Sequence, residues 1–169
     1  MTELRIFLVG PMGSGKTTIG RRVAKSLRKN FVDADQELER RTGASVALIF
    51  DVEGEAGFRD REKRIIDELT QLNEVVLATG GGAVLDADNR KVLSDRGFVI
   101  YLHALVEELV ERTRHDSNRP LLNTDDPVGK MRDILGQRDS LYRSIADLVI
   151  DTGTVGLTEV VRQIRMACK

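Results

Sequence analysis

The 169-residue chain has no tryptophan, three prolines and a single cysteine, and aromatics make up only 4% of it. One cysteine excludes an internal disulfide framework and agrees with a reducing cytoplasm; Cys168, a residue from the C-terminus, is expected to be inert. Long apolar runs are also missing. The run "IFLVG" at the N-terminus gives way at once to Pro11, far short of a signal-peptide core or a membrane span. Nor is there an excess of charge: 26 basic against 27 acidic residues leave a formal net charge of −1, which excludes a general binder of nucleic acid or acidic membranes. The expectation is a soluble cytoplasmic protein that binds neither nucleic acid nor membrane.

A hydrophobic content of 41% suits one globular domain over residues 1–169. Arg outnumbers Lys by 19 to 7 among the 26 basic residues, and the planar guanidinium suits bidentate capture of carboxylate or phosphate. Short apolar runs recur at 5–10, 31–35, 75–82, 98–102 and 147–151, with helical patterns between them. Strands apolar on both faces and joined by helices belong in a parallel sheet covered on both sides. The expected fold is therefore α/β, a three-layer α/β/α sandwich with a five-stranded parallel sheet. Helices are expected over Ile19–Arg28, Gly54–Leu69, Leu105–Thr113, Pro127–Tyr142 and Leu157–Ala167. The stretch "RHDSNRPLLNTDDP", 114–127, is polar and aperiodic, as a functional loop would be.

"GPMGSGKT", Gly10 to Thr17, fits G-x-x-x-x-G-K-[ST] and lies between an apolar strand and an amphipathic helix, the context its mechanics require. Gly13 and Gly15 let the backbone turn successive N–H groups onto one anion, and the helix N-terminus adds its dipole. Met12 to Thr18 would line the phosphates. Lys16 would bridge the β- and γ-phosphates and the Thr17 hydroxyl would face Mg²⁺, so Mg²⁺ with ATP is the implied cofactor. Such a site also needs an acid from a second strand. Neither "VVLATGGG" nor "FVIYLHA" ends on one and Asp151 comes late, so "FVDAD" is the best source. If strand geometry persists there, Asp33 and Asp35 share a face; alternatively, they cap a helix starting at Gln36. Three consecutive glycines, 80–82, cost conformational entropy that a mere turn does not need, which favours close approach of a ligand. No N-K-x-D motif is present, which argues against a GTPase switch, and His103 and His115 have no partners at metal or triad spacing.

Taken together and in order, "GPMGSGKTTIGR", "DADQELERRTG", "GEAGFRDRE", "ATGGGAV", "RPLL" and "RDSLYR" resemble the shikimate kinases over nearly the whole chain. The resemblance implies a P-loop kinase fold and transfer of the ATP γ-phosphoryl group to the 3-hydroxyl of shikimate. It implies a substrate-binding helical segment at about 34–62 and a lid loop at about 113–127. By position, Asp35 matches the base that holds substrate hydroxyls and Asp33 a carboxylate near the metal. Arg59 and Arg138 match the pair that binds the shikimate carboxylate, with Gly80, Gly81 and Gly82 beside the substrate. Arg119 matches the lid arginine that reaches the ATP phosphates, and Arg112 a residue against adenine. Val155 marks a loop for the adenine that lacks a polar counterpart here. The family also suggests a monomer. Two rivals remain open: another small-metabolite or nucleoside-monophosphate kinase, and a non-catalytic nucleotide sensor.

Overall fold

The computed structural model describes residues 4–114 and 124–169. The apolar runs become strands Ile6–Val9 (β1), Asn30–Asp33 (β2), Val75–Ala78 (β3), Phe98–His103 (β4) and Leu148–Asp151 (β5). All pair in parallel, in the order β2-β3-β1-β4-β5. Seven helices are described: Lys16–Leu27 (α1), Ala34–Thr42 (α2), Val46–Leu69 (α3), Ala87–Arg96 (α4), Val106–Thr113 (α5), Pro127–Ile145 (α6) and Leu157–Ala167 (α7).

Strand alternation sorts the core into two layers. Ile6, Leu8, Val76, Ile100 and Leu102 pack against Ile19 and Val23 of α1 and Val160 and Ile164 of α7, with Cys168 at the margin. Phe7, Val9, Leu77, Val99 and Tyr101 point the other way, onto Ile65 and Ile66 of α3, Leu93 of α4 and Tyr142 of α6. Each large apolar side chain so buried contributes roughly 1.5–3 kcal/mol of transfer free energy, which is why the sheet is covered on both faces. This is the expected three-layer sandwich. Among the described residues, no helix is long and apolar enough to cross a membrane.

The differences from the sequence expectation are local. β2 stops at Asp33, and the chain turns directly into α2 at Ala34. Asp33 and Asp35 are therefore not neighbours on one strand face: Asp33 is the N-cap of α2, its Oδ1 accepting from the Gln36 amide at 3.0 Å, and Asp35 lies in the first helical turn. α3 begins at Val46 rather than Gly54, and Gly54 is a kink inside it, with φ +75° and ψ 176°. α4 was not expected, because Val92 and Leu93 are nearly all the apolar surface it offers. It is fixed instead by Asp86, which accepts from the amides of Asp88 and Asn89.

The chain leaves β1 for β2 and β3 on one side of the sheet and for β4 and β5 on the other. The crevice outside the carboxyl ends of β1 and its neighbours is where such sheets bind ligands.

Candidate active site

The turn after β1 is built to leave backbone donors exposed. Gly10, Gly13 and Gly15 have φ of +149°, +83° and +95°. A side chain on Gly10 would meet the Leu102 carbonyl oxygen at 2.6 Å, so only glycine fits there. Gly15 is the N-cap of α1 and, having no side chain, leaves the amides of that first turn without a side-chain cap of its own. Those amides and the helix dipole face the cleft as an anion cradle. Lys16 folds over the loop, its Nζ donating to the carbonyls of Gly10 and Pro11 at 2.7 and 2.9 Å. Ser14 is buried and its amide closes the turn onto the Pro11 carbonyl.

A cleft of about 320 Å³ opens beside this loop, within the size range of small-ligand sites. Met12, Gly13, Gly15, Lys16, Thr17 and Thr18 line one wall, and Asp33, Asp35, Thr79, Gly80 and Gly81 the other. Two separate stretches of the sequence thus meet, as expected. The Thr17 hydroxyl donates to Asp33 Oδ2 at 2.6 Å, so one hydroxyl and one carboxylate sit together at the foot of α1. Thr79 ties β3 to β1 by donating from Oγ1 to the Leu8 carbonyl at 2.9 Å, and this fixes where the glycine run begins.

The glycines are packed against charge. A Cβ on Gly80 would lie 2.8 Å from Glu62 Oε2 and 2.9 Å from Asp35 Oδ1; one on Gly82 would run into the Arg59 guanidinium. Gly81 lies beside the Arg138 guanidinium, and its carbonyl accepts from the Tyr142 hydroxyl, one turn further along α6. Arg59 is held by Glu62 Oε1 at 2.9 Å and lies 5.1 Å over the Phe58 ring. Both Arg59 and Arg138 therefore reach the glycine turn, one from α3 and one from α6.

Glu62 and Tyr142 belong to this group, although nothing in the sequence reading gave them a role. Burial pushes the Glu62 carboxyl up to about 7, with Arg59 opposing the rise and Asp35 adding to it. The Tyr142 hydroxyl is likewise raised, to about 12, by burial.

Of the other expected residues, Arg112 lines the cleft beside the phosphate loop and is exposed, its Nη1 donating to the Gly13 carbonyl at 3.0 Å. Val155 is half-buried beside the α1/α7 core layer and does not line the cleft. His103 ends β4, its Nδ1 3.8 Å from Asp151, away from the glycines. Arg119, His115 and most of the expected lid lie outside the described residues.

An anion cradle facing a carboxylate, with two cationic side chains just beyond it, suits the passage of a phosphoryl group from a nucleotide to a second, anionic molecule. Fold and cleft together define a P-loop phosphotransferase. Comparison with known proteins narrows this. The family model described as shikimate kinase matches residues 12–169. Curated shikimate kinases from Nitrosococcus oceani and Bordetella pertussis are 56% and 55% identical, covering 98% and 96% of this chain and 89% and 77% of their own lengths. The solved shikimate kinase from Acinetobacter baumannii in complex with shikimate superposes with a TM-score of 0.95 at 48% identity, over 98% of this chain and 93% of the other. A gluconokinase from Sinorhizobium meliloti, at 19% identity and a TM-score of 0.66, shares the fold alone. This chain belongs to the shikimate kinase family, the ATP-dependent kinases that phosphorylate a hydroxyl of shikimate.

Proposed function

We propose that the chain transfers the γ-phosphoryl group of ATP to the 3-hydroxyl of shikimate, giving shikimate 3-phosphate and ADP within aromatic amino-acid biosynthesis, with Asp35 as the group on which donor and acceptor meet. The observation that carries this is the shared cleft, lined by Lys16 and Thr17 on one side and by Asp35, Gly80 and Gly81 on the other. Amides of the phosphate loop and α1 hold the nucleotide, and Lys16 leaves its two carbonyls for the β- and γ-phosphates. Arg59 and Arg138 take the shikimate carboxylate with the Gly81 amide, which orients the ring so that its hydroxyls face Asp35. Asp35 orients the attacking hydroxyl and accepts its proton late in the transfer. Arg119 is proposed to close on the phosphates from the lid, with Arg112 and Val155 on the adenine side.

The Thr17–Asp33 corner fits Mg²⁺: its donors are hard oxygens, and one hydroxyl with one carboxylate is the sparse protein contribution this ion takes when phosphate oxygens and water complete its shell. When bound, Mg²⁺ supplies charge neutralisation on the phosphate oxygens. We further propose that the protein works as a cytoplasmic monomer, residues 1–169 forming one domain with its substrate segment at about 34–62 and lid at about 113–127.

Release of ADP is to be followed with shikimate, gluconate, CMP, AMP or no acceptor; only shikimate is expected to stimulate it. Asp35→Asn is expected to lower kcat by about 10²–10⁴ while nucleotide affinity stays within twofold. Normal turnover in that variant would overturn the role of Asp35, and stimulation by a nucleotide would move the acceptor to another class.

A further inference from the structure

Glu62 stands among charges of both signs before any substrate arrives. Asp35 from α2 and Glu62 from α3 flank Gly80, and Arg59 from α3 and Arg138 from α6 approach Gly82 and Gly81. Among the described residues, Tyr142 of α6 and, at the rim, Glu55 of α3 also face this cluster. Asp35 and Glu62 match the two guanidinium groups in charge, and the exposed Glu55, 3.4 Å from Arg59, adds a further negative charge at the rim. Glu62 is 1% exposed; its Oε1 is taken by Arg59, while its Oε2 is buried with no hydrogen-bond partner among the described residues. A buried carboxylate oxygen without a donor is costly, whereas a carboxylic acid can turn an O–H toward a neighbouring acceptor. Asp35 Oδ1 stands against the same glycine, 2.9 Å from where a Gly80 Cβ would lie, with Glu62 Oε2 2.8 Å from that point.

A substrate carboxylate landing on Arg59 and Arg138 adds one more negative charge to a group that has only two positive ones. Like charges in a buried site do not stay ionised together when a proton can separate them. We infer that Glu62 takes up a proton as the anionic substrate binds, giving up its hold on the Arg59 guanidinium to the incoming carboxylate. This rests on the proposed roles of Arg59 and Arg138 and adds to them a proton that the reaction equation does not contain.

The sign follows from linkage. Binding raises the Glu62 pKa further, so affinity is highest where Glu62 is already protonated and falls as pH rises above its value in the free protein. The fall is up to about tenfold in Kd per pH unit, until the bound-state pKa is passed. The ligand's own carboxylate, ionising near pH 4, stays charged throughout.

Shikimate is to be titrated into the protein by calorimetry at pH 8 in several buffers of different ionisation enthalpy, and its Kd measured from pH 6.5 to 8.5. Uptake of about half to one proton per shikimate is expected, with Kd rising through that range. In Glu62→Gln, uptake should vanish and the Kd profile flatten. Binding with no proton exchange in the natural protein overturns the inference even if the variant does not fold, as does undiminished uptake in a folded Glu62→Gln. Failure of the natural protein to bind shikimate at all overturns instead the reading beneath it, and the inference with it.

Discussion

Gly82 shows how a residue without a side chain can set the position of one with a charge. A methyl group there would fall on the guanidinium of Arg59, 2.5 Å from both Cζ and Nη1. The Arg59 side chain is flexible at that end, so Gly82→Ala is expected to fold and to displace the guanidinium. The Kd for shikimate should rise at least about tenfold, the cost of a misplaced charge-assisted hydrogen bond, with nucleotide affinity within twofold. Unchanged shikimate affinity would show that Arg59 does not serve the substrate. The phosphate loop was legible from residues 10–17 alone, because its glycines and lysine have few other reasons to stand at that spacing. Glu62 was not: three residues after Arg59 in a run of alternating charges, it reads as a solvated helical ion pair. Only packing against α2 and the glycine turn puts it inside.

At the level of the element, the kink in α3 sets the position of Arg59. In a straight helix Phe50 and Phe58 would stand about 12 Å apart along the axis, yet their rings lie 4.8 Å apart, and Arg59 covers both. The break at Gly54 folds the first turns of α3 back, and Arg61 clasps Glu53 across it with bonds of 2.7 and 2.6 Å. Gly54 occupies a φ/ψ region nearly closed to other residues, with nothing within 4 Å of a Cβ, so Gly54→Ala meets backbone strain alone. It should cost about 1–3 kcal/mol and weaken shikimate binding as Phe50 and Arg59 lose register. Gly136, exposed in the middle of α6 and equally unhindered, is the opposite case: Gly136→Ala should stabilise by about 0.5–1 kcal/mol. Thermal unfolding of the two variants separates conformation from crowding, and a stabilising Gly54→Ala would overturn the kink. The sequence pattern began the helix at Gly54, whereas the apolar residues Val46 and Ile49 before it continue into the core. "FVDAD" left strand and helix cap both open, because nothing in five residues tells a continuing strand from a capping aspartate; Asp33 proves to be the cap.

Strand order was beyond reach of the apolar runs, which announce five strands but not which are neighbours. That order decides how binding is felt by the molecule. The nucleotide loop rises from β1 into α1, on the sheet face shared with α7, whereas Arg59, Glu62 and Arg138 come from helices on the opposite face. Both layers pack on the same strands, so ligands on either side of the cleft should stabilise one cooperative unit. At a hundred times its Kd a ligand contributes about 2.7 kcal/mol, and for a chain of this size each kcal/mol raises Tm by about 2–4 °C. Mg·ADP and shikimate should each raise Tm by about 5–10 °C at that excess, and more together than either alone. Chelation of the divalent ion should remove most of the nucleotide's share and leave that of shikimate, since Thr17 and Asp33 stand on the nucleotide side of the cleft. If chelation abolished the shikimate shift as well, the division of the two acids, Asp33 toward the metal and Asp35 toward the acceptor, would be wrong.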